Sequence, residues 1–149
     1  MRILCLTLLS FLIFTLPAQA AITITHPLSF GEFALRNNTA VRRMTISAKG
    51  VLTKDAAFVT LVPPQRATVN VSGFPTKTNL IINVTFNSLS SGSGDLFTVV
   101  TPTIFPTNNK TDNSGNASFF VGATLRTSGG GGFYPNNTYN GLMTVTVNY

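Results

Sequence analysis

A chain of 149 residues with ten Lys and Arg, four Asp and Glu, one His and one Cys has few groups for acid–base or metal chemistry. Its formal charge of +6 is dispersed, with Arg42-Arg43 the only adjacent basic pair. The basic residues form no patch interleaved with aromatics, which argues against a single-stranded nucleic-acid partner.

Arg2 is followed by an apolar run from Ile3 to Leu16, then Pro17 and the small-residue site Ala18-Gln19-Ala20. This is the pattern of a cleavable secretory signal, and the run falls short of the ~20 apolar residues of a membrane-spanning helix. We therefore expect cleavage after Ala20, loss of Cys5 with the signal, and no membrane span in the mature chain. Residues 21–149 form a single domain by length, large enough for a core without disulfides.

The mature chain opens on an alternating apolar row, Ile22, Ile24, Leu28 and Phe30, interrupted by His26-Pro27. Proline cannot donate to a ladder, so this strand is expected at an edge. Gly31, between Phe30 and Phe33, marks a bulge or a close backbone approach, and Asn37-Asn38-Thr39 a turn. Met44, Ile46 and Ala48 predict a strand ending at Lys49-Gly50, and the run from Ala56 to Val62 another, stopped by Pro63-Pro64. Ala67, Val69 and Val71 alternate up to a turn at Ser72 to Pro75. Leu80, Ile82, Val84 and Phe86 alternate with polar residues at 83, 85 and 87.

Ser88 to Gly94 is a serine and glycine loop. Leu96 to Val100 and Thr103 to Phe105 read as two short strands parted by Pro102, and Lys110 to Asn116 as a polar turn. Ala117 to Leu125 and Gly141 to Tyr149 both alternate, the latter through Met143, Val145, Val147 and Tyr149. Joined through Gly129 to Gly132 and Asn140-Gly141, they are expected to pair antiparallel and close the domain. No stretch has the apolar period of a helix. The fold expected is all-β, a two-sheet sandwich of about eight short strands.

The chemistry is sparse. One His beside a proline, four carboxylates and no nucleophile-elbow motif argue against an enzyme. The turn Asp112 to Asn116 lacks the aspartate spacing and the downstream glutamate of a calcium loop. No catalytic residue, metal site or cofactor is expected.

The ordered set Leu28-Ser29-Phe30-Gly31-Glu32-Phe33, Val71 to Pro75, Val121 to Leu125 and Tyr139 to Tyr149 resembles a family of small exported bacterial β-domains, the domain of unknown function 4402. That family is similar, in its Phe-Gly start and Thr-Val-x-Tyr end, to subunits of chaperone–usher fimbriae. The resemblance implies an immunoglobulin-like, Greek-key sandwich used as a building block of a fimbria or pilus. It also implies copies of itself or related subunits as partners, a periplasmic chaperone and outer-membrane usher, and a location from periplasm to cell surface.

Such subunits lack one strand and accept an alternating apolar segment from a neighbour, which is β-augmentation. Ile22, Ile24, Leu28 and Phe30 have the alternation of a donor strand, or else form the domain's own first strand. Met143, Val145, Val147 and Tyr149 would border the acceptor groove or a chaperone's edge. Only nine residues, Ala21 to Ser29, precede Phe30-Gly31, too few for a donor and a separate first strand together. The lack of a disulfide, and Tyr149 at the last position rather than one earlier, depart from a standard subunit. The alternative is a self-contained secreted binding module, an adhesin or matrix protein, that recognises its ligand through Ser88 to Gly94 and Ser128 to Asn137. Gly129 to Gly132 would be part of that surface or a flexible tip.

Overall fold

A computed structural model describes residues 19–149, so the expected signal lies almost wholly outside the described residues. The chain is all-β, with ten strands and no helix among the described residues: β1 Ala21–His26, β2 Glu32–Leu35, β3 Arg43–Ile46, β4 Leu52–Lys54, β5 Phe58–Val62, β6 Ala67–Ser72, β7 Ile81–Phe86, β8 Thr98–Phe105, β9 Ala117–Arg126 and β10 Met143–Asn148.

β9 organises the larger sheet. The first half of one edge pairs with β6, Ala67 facing Val121, and the second half with β3, Ile46 facing Ala123. Its other edge carries β8, while β1 extends the sheet beyond β6 and β4 beyond β3. The handover from β6 to β3 falls at Gly122. A β-carbon built there would overlap the backbone of Ile46, Ser47 and Ala48, which crosses above it. Ala48 then donates its N–H to Thr103 Oγ1 on β8 at 3.0 Å. Only a glycine lets the β3 backbone come this close.

Alternation on β9 builds the core. Phe119 and Val121 pack with Val69, Val71, Phe74, Leu80 and Val84 in one cluster. Ala123 and Leu125 pack with Phe30, Met44, Ile46, Phe58, Phe97 and Val99 in a second. Facing these clusters is a second layer made of two separate antiparallel pairs, β2 with β5 and β7 with β10. The molecule is thus a β-sandwich whose second layer is split.

Four expectations change. β9 and β10 do not pair: both edges of β9 are taken by β6, β3 and β8, and the 127–142 segment carries the chain to β7 in the other layer. The strands expected on either side of Pro102 are one strand, β8, with a bulge between Val100 and Thr103 where Thr101 takes a φ of 54°. β4, absent from the sequence reading, forms because Ser47 and Val51 close a tight turn that brings Leu52 back against Ile46. The row Ile22 to Phe30 is not one strand. β1 ends at His26, Phe30 is buried in the core, and a further strand, β2, follows Gly31. Gly31 has a φ of 71° and sits against the Val62 carbonyl, where a β-carbon would overlap it. The chain therefore supplies both an amino-terminal strand and a separate strand in the second layer.

Candidate functional site

The gap in the second layer is a groove of about 1580 Å³. β2 and its flanks, residues 27–39, form one wall; the end of the 127–142 segment and the start of β10 form the other. Phe86, Leu89, Phe97 and Val99 line it. Among the described residues β10 has one strand partner, β7, and β2 has one, β5, so each strand has a second edge without a strand. Alternation directs Met143, Val145 and Val147 inward, yet all three are only half-buried against the core. An apolar row that its own domain leaves half-covered borders an unpaired edge.

The groove's far end is ordered by a polar network. Asn38, nine-tenths buried, donates from Nδ2 to Ser128 Oγ at 2.8 Å and accepts the Gly129 N–H at 2.9 Å. Ser128 Oγ donates to Asp95 at 2.6 Å, and the Ser128 N–H goes to the Tyr134 hydroxyl at 2.7 Å. Tyr134 stacks on Phe97 with centroids 4.2 Å apart, and Tyr139 meets the same ring edge-on at 4.8 Å. Gly131 donates its N–H to the Asn38 carbonyl at 2.7 Å. The tetraglycine is therefore tied at both ends to buried groups.

The same network brings the 88–94 loop and the 128–137 loop together. Asp95 N–H donates to the Phe133 carbonyl at 2.9 Å, Ser90 and Asn140 exchange backbone hydrogen bonds, and Gly94 lies against Pro135. Phe133 stands at this surface, 73% exposed.

The expected site residues are placed as follows. Ile22 and Ile24 lie on β1, a sheet-edge strand whose six residues are all exposed, and each isoleucine is 41% accessible. Leu28 is half-buried against both clusters and Phe30 is in the core, so the four do not form one free row. Met143 lines the groove; Val145 and Val147 continue along β10; Tyr149, 70% exposed, sets its ring edge-on to Phe74 at 5.6 Å. The sequence alone marks neither β2 nor the roles of Asn38 and Asp95, and it offers Ser128 only as the start of the 128–137 loop. Asn38 read as a turn residue, and nothing local marks a side chain whose partners lie 57 to 94 positions away.

Asp112 organises its own turn. Oδ1 accepts the Asn116 and Ser114 N–H groups, and these two bonds, Asn116's foremost, hold its carboxyl below the usual range. Both lie within the turn's own backbone, so the arrangement is an Asx-type turn. Among the described residues no three His, Cys, Asp or Glu side chains gather as a metal site would require, and no helix is long and apolar enough to cross a membrane.

A sandwich with a split second layer and an exposed amino-terminal strand is the class of domain that these observations define. The chain belongs to the family described as Domain of unknown function (DUF4402), which matches residues 21–149. No curated protein and no solved structure matches it.

Proposed function

We propose that this protein is an exported structural subunit of a fimbria or other surface fibre, assembled by strand donation and without a catalytic role. The observation that carries the reading is the split layer. One inserted strand between β2 and β10 would join β5–β2 and β10–β7 into a single sheet, covering Met143, Val145 and Val147 and supplying partners to two open edges. The occupant is β1 of a second copy. β1 lies on the outer edge of the larger sheet with both faces exposed, and its removal leaves β2 and the buried Phe30 in place. Donation therefore moves Ile22 and Ile24 from the β6 ladder of their own copy into a neighbour's groove, with Leu28 and Phe30 remaining in the donor's own core. A periplasmic chaperone and an outer-membrane usher fit this assembly, the chaperone holding the free β10 edge until a neighbour replaces it.

The test is a denaturing gel of surface-sheared protein, loaded unheated and after boiling in acid. A ladder of multiples that collapses to one band on boiling supports strand-exchanged polymers, because inserted strands open slowly. A monomer in both lanes rejects the reading.

A second reading, a self-contained adhesin, is favoured by one observation: the 88–94 and 128–137 loops form a single ordered surface carrying exposed Phe133. It predicts ligand binding by a monomer, lost on substitution of Phe133.

A further inference from the structure

The register of β3 against β9 sets Arg43 directly opposite Arg126. Both side chains leave the outward face of the larger sheet, because the adjacent Met44 and Leu125 are fully buried on the inward face. Across β9's other edge Arg126 faces Thr98. The neighbouring outward row is Thr45 with Thr124, their hydroxyls 2.8 Å apart, and Thr53 beyond them on β4. The Asp55 carboxylate accepts the backbone N–H of Arg43 at 2.8 Å. Among the described residues neither guanidinium is hydrogen-bonded to a carboxylate, and Nε of Arg126 is buried without an acceptor.

Like charges directly opposite one another weaken a strand pair, and arginine cannot relieve the repulsion by losing a proton. The pair is a poor choice for the sandwich alone. It is a good choice for a ligand that places an oxyanion between two guanidinium forks, each able to donate two parallel hydrogen bonds. We infer that Arg43 and Arg126, with the hydroxyls of Thr98 and Thr45 beside them, form a binding site for the phosphate, sulfate or carboxylate groups of an anionic polysaccharide.

The open face decides between ligands of this chemistry. Arg43 is exposed and Arg126 only half-buried, so the two hold a lone anion weakly, since solvent and salt screen the contact. A polymer that repeats its charges rebinds at once when one contact breaks, and also engages neighbouring copies of the site. Nucleic acid fits less well. The outward residues registered beside the two arginines, Thr45, Thr98 and Thr124, include no aromatic; the rings of this face, Phe120 under the Arg66 guanidinium at 3.6 Å and its partner Phe105, lie six residues along β9, about 20 Å away, so a base bound at the arginines has no ring beside it to stack on.

The experiment is an amide chemical-shift titration of the 15N-labelled protein with a sulfated heparin fragment, with inorganic phosphate, and with a single-stranded oligodeoxynucleotide. The expected result is a set of shifts centred on Arg43, Thr45, Thr98, Thr124 and Arg126, reproduced by phosphate only at much higher concentration. The double variant Arg43→Gln/Arg126→Gln should weaken heparin binding at least tenfold. Lys49→Gln/Lys110→Gln, with the same loss of charge, should change it less than twofold. Equal losses from both doubles, shifts centred elsewhere, or no shifts would overturn the site. Equal or tighter binding of the oligonucleotide would overturn the polysaccharide. Thermal unfolding gives a readout independent of labelled contacts: heparin should raise the wild-type midpoint and leave the Arg43→Gln/Arg126→Gln midpoint unmoved. Equal rises in both would reject the site.

Discussion

Asn38 and Ser128, ninety positions apart in sequence, are joined by a 2.8 Å hydrogen bond from the Asn38 amide to the Ser128 hydroxyl. Through it, the turn after β2 fixes the segment after β9 and so one end of the groove. Asn38→Ala removes this bond together with that to Gly129, leaving the half-buried Gly129 N–H without its acceptor while Ser128 keeps its bond to Asp95. A net hydrogen bond contributes about 1 kcal/mol, and an orphaned partner costs about 1–3 kcal/mol. We expect a loss of about 2–3 kcal/mol in urea unfolding, and amide exchange at Gly129 and Gly131 faster by at least tenfold. Protected Gly129 and Gly131 in the variant would contradict the role given to Asn38.

Gly122→Ala tests the handover on β9. The added methyl overlaps the backbone of Ile46 to Ala48 rather than a movable side chain. β3 must therefore lift away from β9 or the strand must bend. The expected cost is about 3 kcal/mol or more, at the upper end for overpacking, read as a lowered thermal midpoint. A midpoint within 2 °C (about 0.5 kcal/mol for a domain of this size) would show that the crossing is looser than described.

Ile24→Asp separates folding from assembly. Ile24 is exposed on an edge strand, so the monomer should lose less than about 1 kcal/mol. An unpaired carboxylate in a dry groove costs several times more, so polymers should vanish from the unheated gel. Normal ladders from this variant would exclude β1 as the donor.

Asp112 gives a prediction in pH. Its folded-state pKa is lowered by the Asn116 and Ser114 N–H bonds, so the carboxylate form favours the folded turn. That contribution is present above the unfolded carboxylate pKa and fades as pH falls through the folded value. Exchange at the Ser114 and Asn116 amides, corrected for intrinsic rates, should accelerate below about pH 4, the ordinary carboxylate pKa. In Asp112→Asn the acceleration should be absent. An unchanged pH profile in the variant would remove Asp112 as its source.

Strands whose apolar residues alternate against one buried face were legible in the sequence: β3, β6, β7, β9 and β10 lie where the period of two placed them. β2 was not, because Glu32 to Leu35 has only Phe33 and Leu35 to mark a face, and its strand character comes from pairing with β5. The partner of β10 was also hidden. Alternation says which side of a strand is dry, not which strand lies beside it, and the long connection after Arg126 permits either layer. From sequence the tetraglycine is either part of a binding surface or a flexible tip, because its restraints come from Asn38 and the hydroxyls around it, not from its own residues. For the groove, the exposed row of β1 and the half-covered row of β10 were named from sequence. The gap that relates them depends on the three-dimensional separation of two strand pairs.

β9 contributes Phe119 and Val121 to one hydrophobic cluster and Ala123 and Leu125 to the other, with Gly122 between them. The two halves of the interior consequently have no independent existence. Loosening either one withdraws the ladder that the other needs, so the domain should melt as a single cooperative unit, with calorimetric and van't Hoff enthalpies equal.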